Sequence, residues 1–108
     1  MPIPRPGTDE FPPYYGRYIE KVGGNDALAS LIAQRTSTAS FLASVPEARA
    51  SYRYAPGKWS LREIIGHVSD AERIFSYRLL RFARADETPV PGFDENTYAA
   101  NAPYGDYL

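Results

Sequence analysis

The chain has 108 residues, 44% hydrophobic and 23% charged, with 12 Lys and Arg against 13 Asp and Glu for a formal net charge of −1. Near-neutral charge gives no electrostatic basis for binding nucleic acid, and no apolar run approaches the roughly 20 residues of a membrane span. The complete lack of cysteine excludes disulfides, thiolate nucleophiles and cysteine-ligated zinc within the chain.

The start, MPIPRPGTDEF, has no basic-then-apolar secretion pattern. One globular cytoplasmic domain over residues 1–108 is therefore expected. Residues 1–24 are rich in Pro and Gly and hold the cluster PPYYGRY, which predicts an extended lead-in with aromatic anchors and at most a short helical turn over residues 14–21.

The first long helix is expected over about residues 26–45, with Asn25 as N-cap and Asp26 favouring the positive helix end. Leu28, Leu31, Ile32, Ala39, Leu42 and Val45 recur at three- and four-residue spacing and predict one apolar stripe, which Pro46 ends. Residues 46–58 read as an irregular connection with a Pro-Gly turn.

The second long helix is expected over about residues 61–85. Ser60-Leu-Arg-Glu63 has the form of a capping box, in which the Ser60 hydroxyl and the Glu63 carboxylate each take a backbone N–H of the first turn. Its stripe is Leu61, Ile64, Ile65, Val68, Phe75, Leu79 and Phe82. Residues 86–108 return to Pro, Gly, Asn and Tyr and read as loop, with Tyr98, Tyr104 and Tyr107 expected to cover core rather than line a pocket.

Two such helices cannot enclose a core between them, because each stripe would leave much of its width in water. Arg35 and Glu72 fall inside the two stripes at similar heights of an antiparallel hairpin. They are expected to pair, since an unpaired buried charge costs several kcal/mol.

His67 is the only histidine. It lies at the edge of the second stripe and shares a face with Glu63, Asp70, Ala71, Ile74 and Arg78. An inward-facing imidazole of this kind can serve a metal in a helix bundle. It can equally be a surface residue or a support for another ligand, and the chain has no second histidine to complete a site. No Ser-His-Asp or Cys-His arrangement is visible, so the residues identify no catalytic group. Trp59, just ahead of the cap, is expected to staple the helix start as core.

The stretch YAPGKWSLREIIGHVSDAERIFSYR (54–78), followed by PVPGFD (89–94) and preceded by PPYYGRYIEKV (12–22), resembles the DinB-like superfamily over roughly residues 12–100. That resemblance implies an all-α, up-down-type four-helix bundle, often dimeric. It also implies a divalent metal, commonly zinc or nickel, held by three histidines. The first ligand, on the second helix, matches His67. The other two, a His-x-x-x-His pair on the fourth helix, have no counterpart in this sequence.

Some members are thiol-dependent S-transferases or isomerases using a low-molecular-weight thiol, and many others have no assigned activity. The resemblance implies a divalent-metal-dependent enzyme of thiol S-transferase or hydrolase-like type. Against the family pattern the sequence holds the first half only. The expectation is a helical hairpin equivalent to half a bundle, completed by a second copy or another helical partner. The alternative to an enzyme is a non-catalytic homodimeric half-bundle or a truncated fragment.

Overall fold

The computed structural model describes residues 1–104. The chain is all-α, and among the described residues there is no strand. Among the described residues no helix is long and apolar enough to cross a membrane. The residues divide into two compact units, one of Met1–Val45 and one from Pro46 onward.

In the first unit a 3-10 turn over Pro13–Tyr15 runs into α1 (Gly16–Ile19), inside the span expected to turn. The lead-in is anchored by polar groups rather than by its aromatics. Arg5 donates to the Ile19 carbonyl at 2.7 Å and to the carbonyls of Val22 and Gly24. Ile3 exchanges bonds with the start of the next helix: its N–H donates to Asp26 Oδ1 at 3.1 Å, and its carbonyl accepts from the Ala27 N–H at 2.8 Å. Tyr14, Tyr15 and Tyr18 stay exposed, with Tyr14 ringed by the other two and by the Arg17 guanidinium.

Helix α2 (Ala27–Ala43) is capped by Asp26, which accepts from the Leu28 N–H at 3.1 Å. The cap lies one residue beyond the Asn25 expected. A carboxylate there serves two donors, Leu28 N–H and Ile3 N–H, and its charge suits the helix N-terminus. The helix is only weakly amphipathic, because Phe41 and several alanines lie off the stripe. Leu28, Leu31, Ile32 and Phe41 are exposed, while Leu42 and Val45 are half-buried.

The second unit opens on a 3-10 turn, Glu47–Arg49, where an irregular connection was expected. The turn packs under the start of α3 (Leu61–Ala83): the Arg62 N–H donates to the Ala50 carbonyl at 3.1 Å, and the Arg62 side chain pairs with Glu47. The capping box is complete. Ser60 Oγ accepts from the Glu63 N–H at 3.2 Å, and the Glu63 carboxylate accepts from the Ser60 N–H at 2.7 Å. At the other end Ala85, at φ +54°, closes a Schellman motif in which Asp86 N–H reaches the Arg81 carbonyl and Ala85 N–H the Phe82 carbonyl, both at 3.0 Å.

Helix α4 (Glu95–Asn101) occupies part of the segment expected to be loop. Asp94 caps it, accepting from Asn96 and Thr97 N–H at 3.0 and 3.2 Å. These bonds hold the Asp94 carboxyl below its usual range, the Thr97 N–H acting most strongly. A capping carboxylate and Glu95 in the first turn outweigh the Pro and Gly that precede them.

Four described residues are buried: Ala50, Ser60, Gly66 and Tyr104. The second unit therefore centres on the N-terminal half of α3. Along the rest of α3, Val68, Phe75, Leu79 and Phe82 are exposed, as the small core of two helices implied. Arg35 and Glu72 are also exposed. Neither charge is desolvated, so the burial cost that motivated a pair does not arise.

Candidate functional site

His67 stands in the second turn of α3 and is half-buried. Its ring lies against the Trp59 indole, centroids 4.9 Å apart and planes inclined by 48°. Trp59 reaches it because the chain enters the cap extended, with Ser60 at ψ 166°, which lets the preceding side chain fold back along the helix. Trp59 thus braces the histidine instead of serving only as core.

The carboxylates one turn away on either side are both engaged. Glu63 receives Arg53 through both guanidinium ends, at 2.5 and 2.8 Å, in addition to the Ser60 N–H. Arg53, which also donates to the Lys58 carbonyl at 2.6 Å, is the largest influence holding the Glu63 carboxyl below its usual range. The Ser60 N–H is the second. Asp70 accepts from Arg73 at 3.1 Å and from the Tyr104 hydroxyl.

Tyr104 is 5% exposed, and its ring lies directly on Gly66. A β-carbon at Gly66 would overlap ring carbons of Tyr104. Glycine at that position is what allows the aromatic ring to approach the helix backbone. Tyr104 covers core, as expected, while Tyr98 is 48% exposed and pairs with Phe93 at 5.2 Å. Tyr107 lies outside the described residues.

His67 therefore sits between two braced features: Trp59 on its ring, and the Gly66–Tyr104–Asp70 contact beside it. Sequence reasoning placed His67, Glu63 and Asp70 on one face but missed the braces. The Trp59-to-His67 interval spans two helix turns with the cap between, and Tyr104 comes from a distant segment.

A tetrahedral zinc site needs about three protein ligands and an open position. Among the described residues no three His, Asp or Glu side chains come together in a way that could hold a metal ion. The residues present fit a single imidazole ligand, and they do not fit a complete metal centre.

The sequence profile of the DinB superfamily matches residues 30–108. The chain belongs to the DinB superfamily. It is similar to a protein of Oceanobacillus iheyensis named "Putative metal-dependent hydrolase", with 33% identity over 57 residues, 52% of this chain. The match takes in 32% of that relative's length. No solved structure matches the chain.

Proposed function

We propose that this DinB superfamily chain supplies one ligand, His67, to a divalent-metal centre of zinc or nickel type, within a metal-dependent enzyme of hydrolase type. The remaining ligands are proposed to come from outside residues 1–104. The observation that carries the reading is the state of His67 itself. It is a half-buried imidazole fixed by an indole, flanked by two carboxylates already committed to Arg53, Ser60, Arg73 and Tyr104. An ordinary surface histidine needs no such bracing, whereas a metal ligand needs its ring held in one orientation. The name of the Oceanobacillus relative adds support for a metal.

When bound, such a metal supplies Lewis-acid chemistry. The chain's own residues orient the ligand ring through Trp59 and engage the neighbouring carboxylates in other bonds. Metal content measured on the purified protein and on His67→Gln, after identical exposure to zinc and to nickel, tests the assignment. Metal binding at equilibrium is expected to be weak, as for one imidazole, and greater in the wild type than in His67→Gln; equal binding by the two proteins rejects it.

We infer a second property from the apolar face of α3. Phe75, Leu79 and Phe82 are 60, 68 and 67% exposed, a contiguous patch that a second copy of the chain could cover by two-fold pairing. Sedimentation at micromolar concentration is expected to show a dimer that Leu79→Glu dissociates, and a monomeric wild type rejects the pairing.

A further inference from the structure

A second feature of α3 lies on the same face as His67, eleven residues further on and roughly 16 Å along the axis. There Arg73, Ile74, Tyr77 and Arg78 form one wall of an open cavity whose opposite wall is Val90–Phe93 with Tyr98. Its volume is about 310 Å³, within the lower range of small-ligand pockets. The lining contains two guanidiniums and no carboxylate.

The walls differ in chemistry. One side carries the Phe93–Tyr98 ring pair and the open backbone of Gly92, above which a β-carbon would touch nothing within 4 Å. The other carries Arg78, whose terminal nitrogen donates to the Pro91 carbonyl at 3.0 Å while its Cζ stands 5.6 Å from the centroid of the Phe75 ring. Its Nε–H is buried and has no hydrogen-bond partner among the described residues. Withdrawing a charged donor from water without a partner is unfavourable. Arg73, by contrast, already serves Asp70 and stands largely exposed at the rim.

We propose that this cavity binds an aromatic monocarboxylate. The carboxylate takes the Arg78 Nε–H and one terminal N–H side by side, the bidentate geometry that guanidinium favours. Because Nε is shielded in the ligand-free arrangement, the Arg78 side chain turns toward the cavity as the anion enters. The aromatic body stacks against Phe93 and Tyr98 above Gly92. The Pro91 carbonyl, which accepts from a terminal nitrogen of Arg78, keeps the guanidinium at the cavity wall from which it turns. This site uses none of the residues assigned to the metal and stands independently of that assignment.

Benzoate is a suitable probe, with benzyl alcohol as its uncharged counterpart and sulfate as an anion without a ring. In a nitrogen-proton correlation spectrum of the whole chain, benzoate is expected to move the Arg78 Nε–H resonance, and its protons should show through-space (NOE) contacts to the Tyr98 ring. Benzyl alcohol should bind about tenfold more weakly or worse, the difference expected of a charge-assisted hydrogen bond. Arg78→Met should lose benzoate binding, and Tyr98→Ala, at an exposed wall, should weaken it while helix content stays constant. Equal affinity for benzoate and benzyl alcohol overturns the charged half of the proposal, and sulfate binding as tightly as benzoate overturns the aromatic half. Should Arg78→Met fail to fold, the wild-type spectrum decides alone: benzoate shifts that leave Arg78 Nε–H unmoved reject the site.

Discussion

The ring of Tyr104 lies on Gly66 of α3 while its hydroxyl donates to the Asp70 carboxylate one turn later. The relationship ties a residue after α4 to the N-terminal half of the longest helix, and it makes Gly66 a packing residue rather than a helix defect. Gly66→Ala gains about 1 kcal/mol of helix propensity. It also drives a β-carbon into ring carbons that must shift as a body, an overpacking cost of about 1–3 kcal/mol. The substitution is expected to lower the unfolding midpoint in the wild type and to raise it in a Tyr104→Ala background. The inversion of sign is the measurement that matters; a stabilised Gly66→Ala single variant would show that the ring does not constrain the helix.

Acid should weaken the two ends of α3 in a defined order. The Glu63 carboxyl is held below its ordinary 4.5 by Arg53 first and the Ser60 N–H second. Its stabilising contribution is present above that ordinary value and is lost as pH falls through the lowered one. Asp86, held by Arg81 and the Thr88 N–H at about 2 against an ordinary 3.8, retains its share further into acid. Urea unfolding followed from neutral pH down to about pH 3 is expected to show a stability difference between wild type and Glu63→Gln that shrinks as pH falls. A difference that holds constant across that range would falsify the assignment of Glu63 as a charged anchor.

Ala85 closes the Schellman motif of α3 at φ +54°, a conformation that costs an alanine roughly 1 kcal/mol and glycine almost nothing. Both N–H bonds of the motif come from backbone and survive substitution. Ala85→Gly should therefore stabilise the second unit by a few tenths of a kcal/mol, the relieved strain being partly offset by glycine's greater freedom when unfolded. Chemical denaturation would read this directly, and a destabilised variant would mean that the left-handed turn is not formed.

Much of this was legible in the residues because it is local. Ser60 and Glu63 are three apart, and their reciprocal capping follows from spacing alone. The positions of α2 and α3, to within two residues at each end, follow from caps, Pro46 and apolar period. The exposure of Phe75, Leu79 and Phe82 follows from counting stripes against available cover. What escaped notice depends on competition or distance. Helix α4 is seven residues long, and the Pro-Val-Pro-Gly run before it drew attention from Asp94 and Thr97, which carry its capping signal. Arg53 meets Glu63 across the Pro-Gly turn, and Tyr104 meets Gly66 across the rest of α3 and all of α4. Neither pairing has a sequence period. The family resemblance, carried by the same Trp-Ser-x-x-Glu-x-x-x-His stretch, placed His67, but it said nothing of the indole that braces the ring.

That bracing provides a clean assay. The chain has one tryptophan and one histidine, and their rings lie 4.9 Å apart, so a metal on the imidazole comes close to the only indole. Nickel and cobalt(II) quench a nearby indole strongly, whereas zinc, with a filled d shell, perturbs it without paramagnetic quenching. Titration with nickel is expected to quench Trp59 emission in a saturable manner, and excess zinc should reverse the loss by competition. His67→Gln should abolish the saturable phase and leave only the slight, linear quenching of free ions in solution. Asp70→Asn serves as the control, because its carboxylate is already occupied by Arg73 and Tyr104. It should leave the nickel midpoint nearly unchanged. If instead Asp70→Asn removes the saturable phase and His67→Gln leaves it intact, the metal is held by the acidic side of the helix, and the assignment of His67 fails.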